Sequence, residues 1–216
     1  MIAFCRTALV ACLISILAGP LVAQEAGPFP FKAPAPGTVL AYNDGFQVTF
    51  GTTSGRATNA FAGPKDAPRA AKVVFQDAFM MRSLKRGRRT LTVKITADKP
   101  GFWPLRLGAS QRFRMDIFVN GKLRQSQRGV ATVAKAVTRL TLAGKTRRVI
   151  RVDIDMRWKG RTGAKQRVKT AYFHDLDMGF YVKRIYTRYG AEGRPRTPTV
   201  RELVKVRRAS STGPRK

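Results

Sequence analysis

One histidine and a few carboxylates bound the catalysis this chain could perform. His174 is the single histidine of 216 residues, in the run Tyr172-Phe173-His174-Asp175-Leu176-Asp177. A lone histidine excludes a histidine-rich zinc site. With an aspartate to orient it, His174 could serve as base to a serine, but no Gly-x-Ser-x-Gly elbow occurs in the chain. The expectation is a strand histidine beside two aspartates. Asp153 and Asp155 are spaced by two, as are Asp175 and Asp177. Such pairs suit glycoside hydrolysis, or Ca²⁺ ligation through oxygen. Arg151 and Arg157 flank the first pair at the same spacing, so cross-strand ion pairing is the simpler expectation. A glycan-processing hydrolase built on Asp153, Asp155, His174 and Asp175 is retained as an alternative.

Gly144-Lys145-Thr146 has the ending of a phosphate-binding loop. Arg139 stands where that motif needs its first glycine, and a strand pattern follows instead of a helix. No cofactor or metal is expected.

Charge is the strongest chemical signal. Lys and Arg number 42 against 12 Asp and Glu, so the formal net charge is 42 − 12 = +30. An excess of this size creates a positive field of several kT that draws polyanions. Arginine predominates, and its planar fork matches carboxylate, phosphate and sulfate. The expected polyanion-binding residues are Lys85, Arg86, Arg88, Arg89, Arg147, Arg148, Arg184 and Arg188. Trp103 and Tyr186 are expected to stack on sugar rings. Arg86 to Arg89 precedes one strand and Arg147 and Arg148 open another, which would let both clusters share one rim.

The elements that must hold these residues read as strands. From Val39 to Arg188 the dominant period is two. Ile150, Val152, Ile154, Met156 and Trp158 alternate with Arg151, Asp153, Asp155 and Arg157, the mark of a half-buried antiparallel strand. Leu91, Val93 and Ile95 alternate likewise, as do Phe113, Met115, Ile117 and Val119. Asn120-Gly121 predicts a two-residue hairpin. Many short strands without long helices predict an all-β fold, an antiparallel β-sandwich of jelly-roll type. In the tail, Thr199 and Glu202 fit a capping box, so a short C-terminal helix competes with a strand there.

The ends carry other information. Arg6, the apolar run Thr7 to Ala18, the break at Gly19-Pro20 and Leu21-Val22-Ala23 have the layout of a cleaved signal peptide over 1–23. The run is short for a membrane span, which needs roughly 20 apolar residues. Both cysteines, Cys5 and Cys12, lie within it, so the mature chain would lack disulfides and thiol chemistry. Residues 24–38 carry Pro28, Pro30, Pro34 and Pro36 and read as a linker. The folded domain is expected over 39–189, with a basic tail over 190–216.

Together these readings predict a periplasmic or secreted, non-catalytic protein without a transmembrane span in its mature form. Its expected partners are anionic glycans, lipopolysaccharide or other envelope polymers. Contact with a membrane surface would be electrostatic only. Extracellular nucleic acid is the alternative partner, although no helix-turn-helix, zinc-finger or aromatic RNA-binding pattern is present.

Overall fold

The computed structural model describes residues 27–77, 80–97, 102–160, 162–190 and 192–208. The signal-like segment with Cys5 and Cys12, and the tail from 209 onward, lie outside the described residues. Twelve strands follow one another: β1 (Val39–Tyr42), β2 (Phe46–Ser54), β3 (Ala57–Pro64), β4 (Ala71–Gln76), β5 (Met80–Arg86), β6 (Arg89–Ala97), β7 (Ser110–Val119), β8 (Lys122–Leu142), β9 (Lys145–Lys159), β10 (Lys165–Asp175), β11 (Phe180–Tyr189) and β12 (Thr199–Arg207). Each pairs antiparallel with its neighbour in sequence, and β12 pairs with β1, so the sheet closes into a barrel.

The expected sandwich is therefore wrong. Alternating strands bury one face in a sandwich and in a barrel alike, so the period does not separate them. The closure does. Val39 registers with Arg207, Leu40 with Val206 and Tyr42 with Leu203, so the first and last strands leave no open edge between them. The closing strand is the segment read as a possible C-terminal helix. Its capping-box pattern yields to ladder bonds on both sides, which place Leu203 inside at 2% exposure and leave Val204 outside.

Side chains fill the interior. Phe180 meets Phe50 and Phe75 edge-on at 4.8 and 5.0 Å between ring centroids, among Leu40, Val48, Ile150, Val152, Ile154 and Val182. Small residues make room for large ones. Gly129 registers opposite Phe113, and a Cβ at that glycine would lie 2.4 Å from the ring. The outer face carries charge, as at Lys72, Lys94, Arg151 and Lys169. Apolar inside and charged outside reverses the pattern of a lipid-spanning barrel. Among the described residues no helix is long and apolar enough to cross a membrane.

The up-and-down order sets what lies at each end. Turns that follow odd-numbered strands gather at one end, and turns that follow even-numbered strands at the other. The second end is capped. The backbones of Phe29 and Leu105 exchange two hydrogen bonds of 2.9 and 3.0 Å. Phe31 packs edge-on against Trp103 at 5.7 Å. Over its described residues the proline-rich segment packs onto the barrel through Phe29 and Phe31.

Ile154 is 1% exposed at the centre of this core. Ile154→Ala should lower unfolding free energy by about 2–5 kcal/mol, measured by urea denaturation.

Candidate functional site

At the uncapped end the barrel wall splits. The β8–β9 ladder stops at Arg128–Arg157. The β7–β8 ladder runs on to Val119–Lys122, and the β9–β10 ladder to Lys159–Lys165. Two hairpin arms therefore part beyond Arg128 and Arg157. The first turns at Asn120-Gly121, with φ of 47° and 76°, the left-handed values that a two-residue turn needs.

Between the arms lies an open groove of about 1610 Å³. It is lined by Arg112 and Arg114 of β7, Arg124 and Arg128 of β8, Arg157 and Lys159 of β9, and Lys165 and Arg167 of β10. Asp155 is the one carboxylate in that lining, and it is already neutralised. Arg167 grips it from Nε at 3.0 Å and from Nη2 at 2.5 Å, and Arg157 Nη2 lies 3.6 Å away. The Arg167 hydrogen bonds hold the Asp155 carboxyl below its ordinary pKa, with burial opposing. Arg114 pairs with Asp116 at 3.0 Å. Among the described residues, Arg112, Arg124, Arg128, Lys159 and Lys165 have no ion-pair partner. Their cation faces are open to a ligand. A smaller depression of about 540 Å³ shares Val130, Asp155 and Tyr189 with the groove and continues along the outer face past Lys169.

The sequence-predicted residues disperse. Lys85, Arg86, Arg88 and Arg89 are all exposed, on the β5–β6 turn at the uncapped end. Hydrogen bonds from Asn120 N to Thr90 O and from Thr90 N to Asn120 Oδ1, both 2.8 Å, fix this turn beside the tip of the first arm. Arg147 and Arg148 lie at the opposite end, because β6 and β9 run in opposite directions. The two clusters share no rim. Arg147 is buried, donating to Asp175 at 2.7 Å and to the Leu142 carbonyl at 3.2 Å. Arg148 reaches Asp177 at 3.0 Å. Trp103 is 8% exposed, with its Nε1 donating to the Asp77 carbonyl at 3.0 Å, and offers no stacking face to a ligand.

Arg184, Tyr186 and Arg188 share one face of β11. Arg184 registers beside Arg201 of β12, and its guanidinium lies 5.9 Å from the Tyr186 ring. Tyr172, opposite Arg184 on β10, has its phenol pKa pushed up to about 12 by burial. Arg188 Nε donates to Tyr186 Oη at 3.1 Å. Sequence reasoning missed Arg124, Arg128 and Lys165, and did not bring Trp158 together with them. Their convergence depends on where a ladder ends, and no local pattern announces that.

Each carboxylate of the two predicted pairs is held by an arginine: Asp153 by Arg151, Asp155 by Arg167, Asp175 by Arg147 and Asp177 by Arg148. Asp155 registers with Lys169, whereas His174 lies five residues further along β10, roughly 17 Å at strand rise. His174 is thus remote from the Asp153–Asp155 pair. His174 is fully buried, with its ring 4.8 Å from that of Trp103.

No protein-family model and no curated protein sequence matches this chain. Among solved structures, it is similar to the hypothetical lipoprotein YmcC from Escherichia coli, at 13% identity and TM-score 0.48, over 78% of this chain and 82% of that one. It is also similar to a protein of Bacteroides fragilis, provisionally described as exported and as having a YmcC-like fold. That match has 10% identity and TM-score 0.43, over 83% and 99% of the two chains.

Burial lowers the His174 pKa to about 3, against a smaller opposing pull from Asp175. The folded protein keeps this ring neutral, while the unfolded chain protonates it below about pH 6.5. Stability from this group is present above pH 6.5 and is lost as pH falls toward 3, by about 1 kcal/mol per pH unit. Denaturation at pH 7, 6, 5 and 4 should show that slope. In His174→Phe the slope should flatten.

Proposed function

We propose that the chain is an exported, non-catalytic protein that binds an anionic glycan, or a comparable acidic envelope polymer, in the groove between the two arms. The observation that carries this reading is a set of cations in one groove with no ion-pair partner among the described residues: Arg112, Arg124, Arg128, Lys159 and Lys165. A cation without an internal partner gains from an external anion, and five along one cleft suit a linear polymer better than a single small ion. The groove and its smaller continuation give such a polymer a track. Export rests on the signal-like order of Arg6, the apolar run and Leu21-Val22-Ala23, which fits a periplasmic or secreted location. The exposed Lys85–Arg89 turn adds to the positive field at the same end and steers a polyanion or an anionic surface toward it.

Polygalacturonate, heparin and single-stranded DNA titrated across a salt series test the reading. Affinity should fall steeply with salt, because each neutralised charge releases a counterion. Replacing Arg112, Arg124 and Arg128 together by Ser should weaken binding at least about tenfold. The same change should reduce the logarithmic salt slope by about 2, at roughly 0.7 per contact. Replacing Arg86, Arg88 and Arg89 by Ser should cost less. Unchanged binding in the groove variant would move the function to another surface.

A further inference from the structure

Next to the groove, inside the mouth of the barrel, is a recess of about 230 Å³. It shares Trp158, Gln166, Arg167 and Tyr189 with the groove and adds Tyr186, Arg188 and Arg196. Three aromatic rings and three arginines therefore meet in a space below the roughly 300 Å³ at which drug-sized pockets begin.

The rings are not equivalent. Tyr189 already carries the Arg167 guanidinium at 4.8 Å from its centroid, and Tyr186 carries Arg188 at 5.6 Å. Among the described residues, no ring or cation is stacked on Trp158, which is half-buried on β9. The arginines differ as well. Arg167 is committed to Asp155. Arg188 is held by Tyr186 Oη at 3.1 Å and has no carboxylate partner among the described residues. Arg196 is exposed and likewise has none. Its backbone N–H bonds the Arg188 carbonyl at 2.8 Å, which seats these two arginines side by side. The recess thus offers one open indole face next to two guanidiniums with free donors.

We infer that this recess is a subsite for a single acidic pyranose unit of the bound polymer, a uronate-type residue. The indole of Trp158 packs on the ring's C–H face, and Arg188 and Arg196 receive its carboxylate. The inference rests on the groove being the polyanion site. A uronate fits because its charge sits on the ring itself, so face and anion are presented within one small unit. In a nucleotide the phosphate is separated from the base by a ribose, which spreads the same two features over more space than the recess provides.

The test uses the whole mature protein and four probes: trigalacturonate, its methyl ester, polyphosphate and oligo-dT. Trp158→Ala should weaken trigalacturonate binding about tenfold and leave polyphosphate within about twofold. Arg196→Gln should weaken trigalacturonate but not its uncharged methyl ester. If Trp158→Ala fails to fold by thermal melting, the Arg196→Gln comparison decides alone. Equal losses on trigalacturonate and polyphosphate, or no loss on either, would overturn the subsite while leaving the groove reading intact. A larger loss on oligo-dT than on trigalacturonate would overturn it in favour of nucleic acid. Wild-type protein that binds none of the charged probes would remove the groove reading and the subsite with it.

Discussion

The seam between β1 and β12 is the contact on which the rest of the barrel depends. Eleven of the twelve strand contacts join strands that are neighbours in sequence. The seam joins residues more than 150 positions apart, through a first strand only four residues long. Its strength comes from what surrounds it. Tyr42 Oη donates to the Tyr181 carbonyl at 2.9 Å, and the two rings stack at 5.6 Å. Arg201 lies 3.9 Å over the Phe46 ring and holds Asp44 at 2.7 Å. Asn43 takes a hydrogen bond from Glu202 N and returns one to the Glu202 carbonyl, both at 2.9 Å. Closure then lets Leu40 and Leu203 face a shared interior with no open edge on either side.

A filled interior restricts where function can sit. Phenylalanines and branched aliphatic residues occupy the barrel centre, and Phe29, Phe31, Trp103 and Leu105 close one end. Binding chemistry is left to the other end and the outer wall. There the lengths of the strands matter. β8 has 21 residues and β9 has 15, more than their shared ladder uses. The surplus projects as two arms, and cations on four successive strands face the gap between them.

Local features of this fold are legible in the chain. The alternation from Ile150 to Trp158 is carried by one strand, and the Asn120-Gly121 turn by two residues with left-handed φ. Features that depend on distant pairing are not. Thr199 to Glu202 satisfies a helix cap on paper, but the register with β11 and β1 makes the segment a strand. Arg147 reads as a surface cation until β10 brings Asp175 against it. Trp103 looks free until the segment around Phe29 folds across it. The groove combines residues from β7 to β10, and only the point where the β8–β9 ladder stops makes them neighbours.

The same accounting explains why charge collects where it does. Nine acids form ion pairs: Asp44, Asp77, Asp116, Asp153, Asp155, Asp175, Asp177, Glu192 and Glu202. Nine of the chain's 12 acids are thereby committed to an arginine or lysine, and with 42 Lys and Arg in all the basic charge exceeds the acidic by 42 − 12 = 30. On a convex wall each such charge is screened by water and salt on most sides. In a cleft, walls of lower dielectric confine the field lines and the potentials add. The gap between the arms is such a cleft, and the charges of Arg112, Arg124, Arg128, Lys159 and Lys165 add there. Mobile counterions accumulate in such a cleft, which is why the proposed polyanion binding should depend steeply on salt.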